Sequence, residues 1–448
     1  MVKRFISIIM ILCLMLAAVG CSQDKDTNDS KTSKQSNTGS DESSSDEVET
    51  VEFTIWHSFV GADQRAEFME DRMNAFRELH PEYIIDEQKI PRDQYQTKLK
   101  TEAAAGQLPD SFLIWPNAMT KEFAEAGLIS DINDYLEANP EWRNSFVNRA
   151  LDEFTVDGMT YTASLGVSIT SIVFYNKAIF EKYGVSYPTS YSELLEVIDV
   201  FNDNDIIPIA LGNKAKWPAQ STIFSCTANR DTGSEWLDST LAGTGSKFTD
   251  PEFVEALRKM NELAEVGAFN EDYNSIDEVQ MRSYFYNGDA AMMIGGSWIV
   301  PELINNAPDE LKENLELTIL PGFEGGNGDP NTMSGVSSTG IAISSDTTPD
   351  QKAAIEELIQ FLTNEDAQKM YASYNIPVSS KTVSIDESEM DPVYNKMLTL
   401  IKEYPMVAVY DSALSSELTD IINNGLQAVM MGAQTPEELA QEMQNALE

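Results

Sequence analysis

The strongest constraint in this chain is a change of apolar period that recurs along its first folded stretch. Val51-Glu-Phe-Thr-Ile-Trp56 alternates as a strand. Ala62 to Leu79 then carries Met69, Met73, Phe76 and Leu79 at helical spacing, and His80-Pro81 ends it. Tyr83 to Lys89 reads as a second strand and Asp93 to Ala105 as a helix closed by Gly106. Ser111 to Trp115 is a short strand, followed by a helix from Asn117 to Ala126 closed by Gly127. Strands and helices in this alternation fold into a parallel sheet covered by helices. Ligands of such sheets bind at the carboxyl ends of the strands, where Trp56 and Trp115 fall.

A second α/β unit follows. Thr170 to Asn176, Ile206 to Leu211, Ala290 to Ile294 and Leu315 to Leu320 read as strands. Ser190-x-x-Glu193 is a capping-box candidate for a helix from Tyr191 to Phe201. Thr249-Asp250-Pro251 opens another helix, which runs to Val266 and is capped by Gly267. Gly340 to Ser344 is strand-like, and helices begin at Thr348-Pro349, at Ser415 and at Thr435-Pro436. The two units part near Thr162 to Ser168, and a small, polar crossing at Gly335 to Thr339 returns the chain to the first unit.

Upstream of the folded body the sequence is an address. Lys3 and Arg4 precede an uncharged, mostly apolar run from Phe5 to Val19, too short for a membrane span. Ala18-Val19-Gly20-Cys21 resembles the bacterial lipobox, in which the cysteine thiol is lipidated and becomes the new N-terminus. Ser22 to Thr50 is polar throughout, with Val48 its only large apolar residue, so it reads as a disordered tether with a reach of about 30 Å. Asp24-x-Asp26-x-Asn28 begins like a calcium loop but lacks the later glycine and glutamate, and no metal site is expected there.

Charge removes other classes. The formal net charge of −43 repels nucleic-acid phosphates and anionic membrane surfaces, so no nucleic-acid partner is expected. With Cys13 in the leader and Cys21 modified, Cys226 has no disulfide partner. His57 and His80 are the only histidines, which makes a histidine-rich zinc site or a Ser-His-Asp triad improbable.

An ordered set of short pieces now matters together. It comprises Phe53-Thr-Ile-Trp56, Pro109-Asp110 before Phe112-Leu-Ile-Trp115, Phe174-Tyr-Asn-Lys177, Pro188-Thr189 before Glu193, and Trp217-Pro218. Gly288-Asp-Ala-Ala-Met292 leading to Gly295-Gly-Ser-Trp298, and Pro321-Gly-Phe323, complete it. With these pieces the stretch from Val51 to Glu448 resembles the sugar-binding class of ABC-transporter extracellular solute-binding proteins, related to maltose-binding protein. The resemblance implies an α/β fold of the two-lobed, periplasmic-binding-protein-like kind (type II). Each lobe would be a mainly parallel sheet flanked by helices, and hinge strands would join the two. It divides the chain into a leader (1–20), a tether (21–50), one lobe from 51–165 with 340–378, and another from 166–339 with 379–448.

The resemblance also implies a site between the lobes. Trp115 looks like the aromatic platform of the first lobe and Trp298 that of the second, with Trp217 on a loop facing the cleft. Trp56, His57 and Ser58 are similar to a turn that hydrogen-bonds sugar hydroxyls, and Asn117 and Ser297 flank the platforms. Where the maltose-type protein offers a further aromatic near the C-terminal helix, Ser412-Ala-Leu-Ser415 stands here, leaving Tyr410 and Asp411 as substitutes. Such residues suit a pyranose: flat rings cover its C–H face, and Asp, Asn, Ser and indole N–H groups satisfy its hydroxyl rim. The expected partners are a carbohydrate and the transmembrane subunits of an ABC permease. The protein would be a monomer on the outer face of a Gram-positive cell membrane, held only by lipid on Cys21, with no cofactor and no catalysis. Three other readings stay open: the same fold for a polyol phosphate, peptide or metal, with Lys214 and Lys216 beside Trp217; a glycosidase; and a surface adhesin.

Overall fold

In the computed structural model, residues 50–448 are described apart from Ala62, Asp63, Asn148, Phe323 and Glu324. The leader, Cys21 and nearly all of the tether lie outside the described residues, as does Phe323. The alternating start becomes β1 (Val51–His57), followed by β2 (Tyr83–Lys89), β3 (Ser111–Ile114) and β4 (Ile129–Ser130). The chain passes through β5 (Val167–Ile169) into β6 (Ile172–Asn176), β7 (Ile207–Ala210), β8 (Ala290–Gly295) and β9 (Leu315–Ile319). It returns through β10 (Met333–Ser337) to β11 (Gly340–Ser344), then crosses again to reach β12 (Met406–Val407).

These strands make two large sheets, in the orders β2-β1-β3-β11-β4 and β9-β6-β8-β7, and a small one between them, β12-β10-β5. One apolar core, with Phe53, Phe76, Phe112 and Phe154, also takes Ile343 and Leu358 from the returning chain. The second sheet is covered on both faces. Val173 joins Ile198 and Leu257 on one side, while Ile172 and Phe174 join Phe285 and Met397 on the other. Burial on both faces explains why its strands read as continuous apolar runs. Trp142 and Trp236 are both buried, their indole N–H groups donating to Thr363 Oγ1 and to the Asp250 carboxylate, each at 3.1 Å.

The sheets are mainly parallel, as expected, but each large sheet has one reversed strand. β1 pairs in parallel with β2 and β3, but β11 runs against β3 and β4. Likewise β6 runs against β8 and β9. The route of the chain is the cause. β11 and β6 each follow a crossing between lobes, and Gly340 pairs with Ile114, the last residue of β3, as Ile172 pairs with Gly295, the last residue of β8. A strand that enters where its neighbours finish must run antiparallel to them.

Helix ends follow their caps. Thr348 with Gln351 and Thr435 with Glu438 form reciprocal capping boxes, each with proline in the first turn. At Ser190 the pattern is shifted: its hydroxyl accepts from the Glu193 amide at 3.2 Å, but the Glu193 carboxylate reaches back to the Thr189 amide at 2.7 Å. Helices Glu278–Tyr286 and Pro392–Glu403 and a π-helical turn at Ala219–Phe224 are additional to the sequence reading.

The three crossings lie side by side. Leu165 N–H donates to the Thr339 carbonyl at 3.0 Å, Ser338 N–H to Gly166 at 2.9 Å, and Val167 N–H to Pro377 at 3.0 Å. Gly166 is fixed by this crowding, because a Cβ there would stand 2.5 Å from the Tyr371 ring and 2.6 Å from the Pro377 carbonyl oxygen. Since part of that obstacle is backbone, Gly166→Ala is expected to lower stability by about 1–3 kcal/mol. Calorimetry of the ligand-free protein checks this, and an unchanged melting temperature would mean that the crossing accommodates a methyl group.

Candidate ligand-binding site

Side chains that follow the strand ends of both large sheets converge on one cavity of about 180 Å³, floored by the crossings. From the first lobe come Ser58 and Phe59 just past β1, Arg92 just past β2, and Trp115 just past β3. From the second come Trp298, after β8, and Ser221. Ser168, Thr170, Ser337, Ser338 and Thr339 supply hydroxyls from the crossings, and Val409 and Asp411 approach from the C-terminal part. A larger cavity, about 390 Å³, opens among Asn133, Arg143 and Lys381, but no tryptophan lines it.

Local structure holds each platform. Trp115 packs against Tyr95, 5.8 Å between ring centroids, and the single proton of the buried Tyr95 hydroxyl is shared between the carbonyls of Trp56 and Leu113, 3.0 and 2.8 Å away. Tyr95 thereby ties the ends of β1 and β3 together. Trp298 folds back over Gly296, where a Cβ would lie 2.0 Å from the indole, so only glycine fits. Its N–H donates to Glu278 at 3.1 Å. Trp217 stands edge-on to Trp298 at 5.7 Å and precedes Pro218 and the π-helical turn that carries Ser221.

Arg92 spans the cleft. Its guanidinium carbon lies 4.3 Å from the Trp217 ring centroid and 5.4 Å from that of Trp298, although Arg92 belongs to the opposite lobe. Arg65 sits over Phe59 at 5.2 Å. Burial pushes the Asp411 carboxyl up to about 6, with the Arg92 charge acting in the other direction.

The expected site residues therefore separate. Ser58, Trp115, Trp298 and Asp411 line the cavity, and Trp217 adjoins it through Trp298 and Arg92. Trp56, His57 and Tyr410 do not, and those expectations are corrected. Trp56 is 8% exposed in the first core, with Lys98 Nζ 3.9 Å from its ring centroid. His57 is fully buried, with Nε2 2.9 Å from Glu87 and Nδ1 accepting from the Phe59 amide at 3.3 Å. Burial alone would raise the Glu87 carboxyl, but hydrogen bonds from His57 and Arg77 hold it down at about 2. His57 thus braces the turn that presents Ser58 and Phe59. Tyr410 is buried against Phe224 and Phe253, with ring centroids 5.3 and 6.1 Å away. Ser297 also misses the cavity: its N–H donates to Ile169 at 2.8 Å and its hydroxyl accepts from the Ile169 amide at 3.3 Å, which pins the Trp298 loop to β5. Asn117 lies at the start of the helix Ala118–Glu125, at φ +58°, outside the lining.

Residues missed by the sequence reading are Phe59, Arg65, Arg92, Ser221, Val409 and the hydroxyls of the crossings. Arg92 carried a usable signal, since it opens a helix at the carboxyl end of a strand. Ser221 carried none, because a π-helical turn has no distinctive spacing in sequence.

Comparison with known proteins places this geometry in context. A family model described as bacterial extracellular solute-binding protein matches residues 61–369. The multiple sugar-binding protein of Streptococcus mutans is 24% identical over 314 residues, covering 69% of this chain and 71% of that protein. The maltotriose-binding protein of Pyrococcus abyssi is 26% identical over 353 residues, 76% of this chain and 69% of its own length. A solved chitin oligosaccharide binding protein shares the fold with a TM-score of 0.81 at 23% identity, over 89% of this chain and 98% of that one.

Asp411 gives a pH test. An unfolded aspartate titrates near ~3.9, so between about 4 and 6 the folded protein binds more protons than the unfolded chain. Stability contributed by this group is therefore present at low pH and lost as pH rises through that window. Asp411→Asn is expected to raise the melting temperature relative to the parent more at pH 7 than at pH 4. An equal difference at both would show that Asp411 titrates normally.

Proposed function

The chain belongs to the family of bacterial extracellular solute-binding proteins, and from that premise we propose that it captures an oligosaccharide outside the cell and delivers it to an ABC importer. The family binds and does not catalyse. One observation carries the sugar reading: Trp115 from one lobe and Trp298 from the other line a single cavity whose remaining wall is rich in hydroxyls. Flat aromatic faces suit the C–H surface of a pyranose, and the hydroxyls suit its rim.

The cavity, about 180 Å³, is smaller than the roughly 300–1,000 Å³ usual for ligand pockets. An oligosaccharide enters when the lobes part about the crossings, and its contacts with both walls favour the closed form. The moving bodies are residues 51–165 with 340–378 and residues 166–339 with 379–448. Cys21 carries the lipid, the polar segment after it is the tether, and the monomer works at the outer membrane face. Its partner there is the transmembrane part of an ABC permease. Among the described residues no helix is long and apolar enough to cross a membrane.

The other readings lose support. A glycosidase needs two carboxylates about the scissile bond, and among the described residues Asp411 is the only one lining the cavity. A phosphate ligand would want Arg or Lys in the cleft; Lys214 and Lys216 are exposed and do not line the cavity, and the two arginines that do, Arg65 and Arg92, lie over the rings of Phe59 and of Trp217 and Trp298.

Thermal-shift measurement with maltotriose, stachyose and a chitin oligosaccharide tests the proposal, because ligand binding raises the melting temperature by mass action. At least one is expected to shift it. Trp298→Ala is expected to weaken that binding by about 30-fold or more, as loss of a central aromatic anchor costs ~2 kcal/mol. Unchanged affinity in a folded variant would remove Trp298 from the site.

A further inference from the structure

The floor of the cavity is the hinge itself. Ser337, Ser338 and Thr339 lie where the chain returns from the second lobe to the first, and all three line the cavity. Their surroundings differ. Ser337 Oγ donates to the Arg149 carbonyl at 3.0 Å. Thr170 Oγ1, on a neighbouring crossing, shares a 2.6 Å hydrogen bond with Ser334 Oγ. Thr339 Oγ1 meets no hydrogen-bonding partner among the described residues, although Thr339 is only 7% exposed. Its main chain is committed, because the Thr339 carbonyl accepts from the Leu165 amide across the hinge at 3.0 Å.

A buried hydroxyl without a partner weakens a fold, and a methyl group of the same shape would not. Packing therefore gives no reason for an oxygen at this position. The cavity offers one, since Thr339 is among the residues that line it.

Resting on the saccharide reading above, we infer that Thr339 is a ligand-contacting residue, whose Oγ1 is completed by a hydroxyl of the bound sugar. A threonine hydroxyl donates and accepts, as a sugar hydroxyl does, so the pair fits in either direction. The contact comes from the crossing and not from either wall. The same residue then holds ligand through its side chain and the hinge pairing through its carbonyl.

Thr339→Val keeps the shape and removes the hydroxyl, while Thr339→Ser keeps the hydroxyl. The ligand-free valine variant is expected to melt at or above the temperature of the parent. Its affinity for whichever of maltotriose, stachyose or chitin oligosaccharide shifts the parent is expected to fall about 3- to 10-fold, and the serine variant to stay near the parent. A lower ligand-free melting temperature for Thr339→Val would make the hydroxyl structural and overturn the inference. The two readings fail separately. A parent that responds to none of the three saccharides sinks the saccharide reading and this contact with it. A parent that responds, beside a valine variant that binds equally well, sinks the contact alone.

Discussion

Main-chain hydrogen bonds between the three crossings set the geometry of everything around them. Leu165 with Thr339, Gly166 with Ser338 and Val167 with Pro377 hold the crossings in one narrow bundle. Because the chain enters each large sheet from that bundle, β6 and β11 start where their neighbours end and run against them. The carboxyl ends of the parallel strands in both sheets therefore face the same place. Trp115 after β3 and Trp298 after β8 come together for this topological reason, although 183 positions of sequence separate them (298 minus 115).

Rigidity and softness are distributed unequally around that bundle. Inside the second lobe the buried Arg230 guanidinium donates to the carbonyls of Leu320 and Pro321 at 2.7 and 3.1 Å, and also to Thr332. Lys259 meets Asp231 at 2.6 Å nearby. Groups this buried do not exchange partners readily, since exposing or orphaning one charge is strongly unfavourable. Across the cleft the contact is of another kind. Arg92 rests on the faces of Trp217 and Trp298, an interaction worth ~0.5–2 kcal/mol. Lobes that keep their internal shape while their mutual contact is easily exchanged are what closure around a guest requires.

Much of the fold was legible because period carries it. Alternation gave β1, helical spacing gave the helix Gln64–Leu79, and capping residues gave the starts at Pro349 and Pro436. The direction of a strand is not written in its own residues, so the antiparallel β6 and β11 were not. Among the residues that line the cavity, Trp115 was indicated by the rule that ligands lie beyond strand ends, and Trp298 by the family resemblance. The same rule also pointed to Trp56, which still belongs to β1, as does His57, which the resemblance had brought in. In a strand covered on both faces, successive side chains both point into packed interior, so the residues that reach the cavity, Ser58, Phe59 and Val60, lie past the last paired residue. Tyr410 failed for a related reason: its aromatic type suggested a platform, but its neighbours Phe224 and Phe253 make it core.

Charge completes the selection. The chain carries 73 acidic and 30 basic residues, so its long-range field opposes anionic solutes and leaves a neutral saccharide almost unaffected. Inside the cleft, the nearest cations are turned to other work: Arg65 lies over Phe59, and Arg92 lies over two indoles and faces Asp411. Discrimination against anionic solutes is thus favoured at a distance by the surface charge. Selection among neutral solutes is then left to short-range fit: two aromatic faces, a belt of hydroxyls and a cavity of about 180 Å³ floored by the crossings.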